Sequence, residues 1–285
     1  MLTMLLTAQI LTQEIQIVYS TNIPDPSKRA VAQGQAIALQ LTPLECAHPI
    51  VFNDVAYRCR PDRFVIIGIP MNTQAGIYPV TSGTSVVAQL DITPTAWQRI
   101  HRSARASTKK APPAQLDRDR IAKNTAFSAH ADTRWNTYHL RAPLALPLSS
   151  EFRITDPFGL QRLYGKQTAS VGHNGVDLAA PEQQSWSRSA PNAQSMASGV
   201  VVLASRLWVE GNTVVVYHGD SIYTSYCHLR IITVKRGELV TPGQALGVVG
   251  STGQSSGPHL HLTLRINGIN VDPLLARISL NESLR

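Results

Sequence analysis

The sequence predicts a mainly β protein, with a small sandwich-like β domain over residues 14–93, a partly helical connector over 94–143 and a larger β domain over 144–285. Three observations carry this expectation. Apolar residues alternate with a period of two in most structured-looking segments, as at Ile37, Leu39 and Leu41 or at Leu260, Leu262, Leu264 and Ile266. Turn residues punctuate the chain at short intervals, among them Asn53-Asp54, Asn72-Thr73 and Ser82-Gly83. Finally, 285 residues exceed the usual single domain, and 43% apolar content suits packed cores rather than disorder.

In order, residues 1–13 are apolar but short and lack a basic leader, a faint likeness to a trimmed signal segment. Strand patterns follow at Ile15, Ile17 and Tyr19, at 37–41, at 64–69 and at 86–92, spaced as in a small sandwich. Cys46 and Cys59 flank a hairpin and can pair in an oxidising compartment, and His48 is a lone loop histidine. Residues 99–141 hold ten Lys/Arg against three Asp/Glu, while the rest of the chain holds sixteen against fifteen. The net charge of +8 is therefore local. Such a segment either steers the protein toward an anionic polymer or is a solvated connector; no nucleic-acid recognition motif accompanies it, so nucleic acid is not the expected partner. Within it, 115–127 behind Pro112-Pro113 reads as a short solvent-facing helix, with Trp135 and Tyr138 available to pack the connector down. His101, His130 and His139 have no partners at ligand spacing. In the rear half, strands are expected at 199–204, 213–218, 223–228, 245–249 and 259–266, with no helical period until the last residues. No run of eighteen apolar residues occurs, so no membrane span is expected.

Chemistry concentrates in the rear half. In Gly257-Pro258-His259-Leu260-His261-Leu262, the strand period puts both histidines on one face. Two imidazoles so placed serve as a metal ligand beside an acid–base group, or simply as two hydrogen-bonded strand histidines. His173 and Asp177 lie four residues apart, about 13 Å between Cα atoms if fully extended. The turn dipeptide Asn174-Gly175 between them supplies a bend that brings both to one point, where they either hydrogen-bond each other or share an ion. Adding His261 makes a His₂Asp set, the N and O donor trio of zinc sites that keep a fourth position for water. His228, at the end of an alternating strand, and His259 then remain for proton transfer. Cys227 is expected to point away from His228 as a small buried hydrophobe, and His218, before Gly219-Asp220, to be a structural turn residue.

Together, His173-x-x-x-Asp177, Tyr226-Cys227-His228-Leu229 and Gly257-Pro258-His259-Leu260-His261 resemble the motifs of lysostaphin-type (LytM-like) zinc metallopeptidases. Flanking phrases agree: Ile154-Thr155-Asp156-Pro157-Phe158-Gly159, Thr241-Pro242-Gly243-Gln244-Ala245-Leu246-Gly247 and Gly250-Ser251-Thr252-Gly253. The resemblance runs over residues 135–273, and the front half looks more distantly like the β-rich accessory domains that precede many such peptidases. It implies an antiparallel β core, one zinc ion per chain held by His173, Asp177 and His261, and catalytic roles for His228 and His259. It also implies hydrolysis of peptide cross-links in peptidoglycan by an exported protein of the periplasm or cell envelope. The front half is then expected to contact the groove and tune access to it. Two departures stand out. A longer polar loop over 182–198 replaces a short turn and alters a groove wall, and Leu262-Thr263 stands where the family usually reads Phe-Glu. The rival reading is a catalytically silent relative that binds the wall and activates another hydrolase; such relatives usually lose ligands, and all five residues are present here.

Overall fold

The structure is a computed structural model that describes residues 28–102, 112–128, 140, 143–165 and 170–283. The leader-like stretch 1–13, the pattern at Ile15, Ile17 and Tyr19, and His130, Trp135, Tyr138 and His139 lie outside the described residues.

The front half supplies β1 (Lys28–Ala32), β2 (Ala36–Gln40), β3 (Ile50–Phe52), β4 (Val55–Tyr57), β5 (Phe64–Gly68), β6 (Gly76–Ser82), β7 (Ser85–Thr93) and β8 (Arg99–Arg102). Five of these form a sheet in the order β1-β7-β6-β3-β4, while β2 pairs with β5. Asn53 and Asp54, with φ of 47° and 61°, close the β3–β4 hairpin with the two positive-φ residues that a twisted two-residue turn requires. Around that hairpin Cys46 and Cys59 form a disulfide, their Cα atoms 5.5 Å apart. Helix α1 (Pro113–Phe127) follows, opened by proline in the first turn where its missing N–H is no loss.

The rear half supplies β9 (Arg153–Asp156), β10 (Gln161–Tyr164), β11 (Val176–Ala179), β12 (Asn192–Gln194), β13 (Gly199–Leu207), β14 (Gly211–Tyr217), β15 (Ile222–Ile232), β16 (Leu239–Val240), β17 (Ala245–Val249), β18 (Leu260–Ile266), β19 (Ile269–Val271) and helix α2 (Pro273–Ser283). Ten of these strands make one antiparallel sheet along β16-β13-β14-β15-β18-β11-β9, with β17 beside β15 and β19 beside β18. The mainly β, antiparallel architecture expected of the rear half is the one observed. The loop expected over 182–198 contains β12 and buries Trp186 in the core.

Strand β18 shows how the pattern becomes the fold. Leu260, Leu262, Leu264 and Ile266 are buried on one face, and His261, Thr263 and Arg265 alternate onto the other. Leu260 and Leu262 join Val176, Leu178 and Tyr226 in the core of the rear sheet. Leu264 and Ile266 join a second core with Ile222, Val271 and α2, and that core also takes in Leu39, Ile50, Val65 and Ile67 of the front half. Burying each such Leu, Ile or Val contributes about 1.5–3 kcal/mol, so the front strands are bonded to the back of the rear sheet by its own apolar stripe. On the opposite face, α1 covers Val215, Tyr217 and Tyr223 through Ala122, Ala126 and Phe127. The face of the sheet that carries His261 is therefore the one that carries α1. Among the described residues, no helix is long and apolar enough to cross a membrane.

Candidate active site

Strands β11, β18 and β15 lie side by side, with Asp177 paired to His261 and His261 paired to Cys227. Directly paired residues of an antiparallel sheet share a face. Cys227 therefore sits on the His261 side, and the expected alternation that would turn it away from His228 fails. The reason lies in the strand: His228 has φ of +62° and the β14–β15 register shifts there, so a bulge re-aims the side chains. Cys227 is nonetheless free and buried, and burial pushes its thiol up to about 12.

The bend at Asn174-Gly175 brings His173 to the same point. Gly175 has no substitute there, because a Cβ would lie 2.3 Å from the Leu262 carbonyl oxygen. His173 Nε2 is 3.3 Å from Asp177 Oδ1 and 3.1 Å from His261 Nδ1, and His261 Nδ1 is 2.7 Å from Asp177 Oδ1. These three donor atoms lie within 4.8 Å of one another. Burial alone would raise the Asp177 carboxyl, yet hydrogen bonds and charge from His173 and His261 hold it well below the usual carboxylate range. Burial lowers His261, which favours its neutral, ligating form. Two ring nitrogens and an ionised carboxylate oxygen converging on one point match the donor chemistry of a divalent cation of the zinc type. His173 Nδ1 lies 3.2 Å from the Pro157 oxygen, which leaves Nε2 as the donor atom toward that point.

His228 and His259 stand beside this trio, their ring centroids 4.7 Å apart. Nδ1 of His228 is 2.8 Å from the Thr252 oxygen, and Nδ1 of His259 is 2.8 Å from the Gly257 oxygen. A carbonyl only accepts, so both rings carry their proton on Nδ1 and offer Nε2 as a base. Nε2 of His259 is 3.8 Å from Asp177 Oδ1, outside the ligand trio but over it. Burial depresses His228 to about 4, so it is neutral at pH 7.

One residue of the site had no signal in the sequence reading. Arg162 of β10 donates to Asp177 Oδ2 at 3.0 Å and also pairs with Asp156, so it fixes which carboxylate oxygen faces the histidines. No spacing rule links a residue of one strand to an acid fifteen positions later. The other sequence expectations fare individually: His218 is fully buried between the Ser198 oxygen and the Thr224 hydroxyl, each at 2.8 Å, a structural residue as expected. His101 lies on β8, paired with Leu163 of β10, and is not one of the converging residues.

The front half reaches the ligand loop. His173 N–H donates to the Leu160 oxygen and Gly159 N–H to the His173 oxygen, at 2.9 and 2.8 Å. Gly159, at φ of +77°, lies against the Trp97 ring so closely that any Cβ would overlap it, and Met71 Sδ is 3.2 Å from where a Gly172 Cβ would stand. In the same place β8 pairs in parallel with β10.

Residues 171–273 match the peptidase family M23 model. Peptidoglycan DD-endopeptidase ShyA of Vibrio cholerae is 35% identical over 144 residues, which are 50% of this chain and 32% of ShyA. DD-carboxypeptidase/endopeptidase Mpg of Neisseria meningitidis is 37% identical over 122 residues, 43% of this chain and 26% of Mpg. The chain thus spans about a third or less of the length of these two relatives. A Pseudomonas aeruginosa crystal structure assigned to peptidase M23 shares the fold over 86% of this chain and 94% of its own, with a TM-score of 0.59 and 24% identity.

Proposed function

We propose, for a chain whose residues 171–273 match the peptidase family M23 model, the function of a zinc-dependent endopeptidase that hydrolyses peptide cross-links of bacterial peptidoglycan. The observation that carries this reading is the convergence of His173, Asp177 and His261 on one point, with the bases of His228 and His259 facing it. One zinc ion per chain, held by those three residues, would polarise the scissile carbonyl and lower the pKa of a water molecule toward about 7. The protein's own residues do the rest. Nε2 of His228, neutral at pH 7, takes a proton from the attacking water, and that same proton passes to the leaving amine by way of Nε2 of His259 beside it, so both rings end neutral as they began. With their Nδ1 protons donated to backbone carbonyls, both rings are held in one tautomer. Asp177 accepts from Arg162 on Oδ2 and keeps Oδ1 toward His173 and His261.

The substrate class rests on relatives such as ShyA, named a peptidoglycan DD-endopeptidase, and implies the cell envelope. A periplasmic site of action is further supported by the Cys46–Cys59 disulfide, which needs an oxidising compartment. The front half is proposed as an accessory domain whose contact with the site runs through Trp97 and Met71. Purified protein incubated with cross-linked muropeptide dimers should release monomers, lose that activity to a chelator and regain it with zinc. Binding to sacculi without any cleavage, at full zinc occupancy, would instead establish the silent wall-binding relative.

A further inference from the structure

We propose that helix α1, which lies outside the matched peptidase segment, is a positioning element of the active site and that it holds His228 through the β13–β14 turn. The proposal rests on the reading of His228 as a proton-handling group, but its structural part can be tested without that reading.

The helix docks through an unusual face. Its Leu116 and Ile121 point outward, at 44% and 60% exposure, while Asp119 is 6% exposed. A buried carboxylate is costly unless its oxygens are occupied. Both are: Oδ1 accepts from Gln115 Nε2 and Oδ2 from the backbone N–H of Trp208, each at 2.7 Å. One turn along the helix, the Lys123 ammonium pairs with the Glu210 carboxylate. Trp208 and Glu210 both belong to the turn between β13 and β14, so α1 grips that turn at two points. At its C-terminal end the helix is fastened to the sheet, where Tyr223 Oη donates to the Phe127 oxygen at 2.8 Å and the Arg265 guanidinium lies 4.9 Å from the Phe127 ring centroid.

From the gripped turn the chain of contacts leads straight to His228. The backbone oxygen of Glu210 accepts the His228 N–H at 2.8 Å. Val209 oxygen accepts the Gln254 N–H at 2.8 Å, and the Thr252 hydroxyl accepts the Asn212 N–H at 2.9 Å. Thr252 is the residue whose carbonyl oxygen takes the His228 Nδ1 proton. Turn 208–211 and the 250–257 loop thus form a single cradle for His228. His228 needs one, because its backbone is in the left-handed region that disfavours residues other than glycine. Asp119, Lys123 and Glu210 are positioning residues in this scheme; none touches the ligand trio.

The test uses the full chain. Lys123→Glu and Glu210→Lys each put like charges together across the helix–turn contact, and the two combined restore an ion pair with reversed sign. Each single variant should speed amide hydrogen exchange at His228 and lower kcat on muropeptide dimers by about 10–100-fold, the scale of displacing a catalytic group. KM and zinc content should stay near the parent values. The combined variant should recover most of both losses. Asp119→Ala should act like the single variants, and Asp119→Asn, which keeps an acceptor for the Trp208 N–H, should be milder. If the single variants lower the melting temperature but leave His228 exchange and kcat unchanged, α1 is only a stabilising clamp and the proposal is wrong. If exchange rises and kcat does not fall, the positioning of His228 by α1 stands as structure but its catalytic meaning is overturned, and the same result would follow from a fully active His228→Ala.

Discussion

His259 and His261 occupy the same face of one strand, yet their surroundings assign them different work. His261 Nδ1 is 2.7 Å from the Asp177 oxygen inside the ligand trio, whereas His259 Nδ1 is committed to the Gly257 oxygen and its Nε2 stands 3.8 Å from that carboxylate. Removing His261 deletes one of three donors, so His261→Ala should lose zinc and activity together. His259→Ala should keep its zinc and lose about 10²–10⁴-fold in rate, the usual contribution of a positioned acid–base group. Metal content and turnover need to be read on the same folded preparations. A His259→Ala protein that sheds zinc while His261→Ala retains it would reverse the two roles. Much of this site was legible one residue at a time. A period of two puts His259 and His261 together, and Asn174-Gly175 announces the bend that joins His173 to Asp177. Cys227 was misplaced for a physical reason: strict alternation assumes an unbroken strand, and the bulge at His228 has no mark in the sequence beyond a non-glycine residue that happens to adopt positive φ.

At the scale of elements, the strands with alternating apolar residues were readable and the short ones were not. The expected strands at 245–249 and 259–266 match β17 and β18 to within a residue: β18 lays its inward Leu260, Leu262, Leu264 and Ile266 on every second position, and β17 is a short apolar run with Leu246 and Val249 in the core. Strands β8 and β10, four residues each, pair only with each other and carry charged side chains, so no hydrophobic pattern reveals them. The docking face of α1 was hidden in the same way, since it is made of Asp119, Ala122, Ala126 and the terminal Phe127, while Leu116 and Ile121 face outward. The β8–β10 pair matters because it carries Arg162, and because Trp97 just before it packs under Gly159 and the His173 loop. Truncating Trp97 to alanine removes that support without touching a ligand. Trp97→Ala should therefore weaken zinc retention about 10–100-fold in a chelator competition, as losses of outer contacts to metal ligands generally do. Unchanged retention would show that the His173 loop is set by the rear sheet alone.

The whole molecule is held together at the back of the rear sheet, where front strands and α2 share a core with Leu264 and Ile266. At the edge of that junction lies a small cavity lined by Tyr57, Arg58 and Ile66 from the front half and Tyr217, Asp220 and Asn267 from the rear. Asp220 makes the joint pH-dependent. Burial raises its carboxyl from 3.8 to about 6, against the charges of Arg60 and Arg58 and with a smaller push from Asp62. The folded protein therefore binds this proton more tightly than the unfolded chain does. Between pH 4 and pH 6 the fold holds more protons than the unfolded state, so this group's contribution to stability falls as pH rises through that window. Above it the cost levels off at about 2–3 kcal/mol, from roughly two pH units at 1.36 kcal/mol each. Asparagine carries no charge to bury and tolerates the positive φ of 56° that residue 220 adopts. Asp220→Asn should accordingly melt higher than the parent at pH 7.5, with the difference shrinking toward zero near pH 4. Thermal melts of the two proteins across that range decide the matter: a difference that stays constant with pH would mean that the Asp220 carboxyl does not change its charge there, and that the junction takes its stability from apolar contact alone.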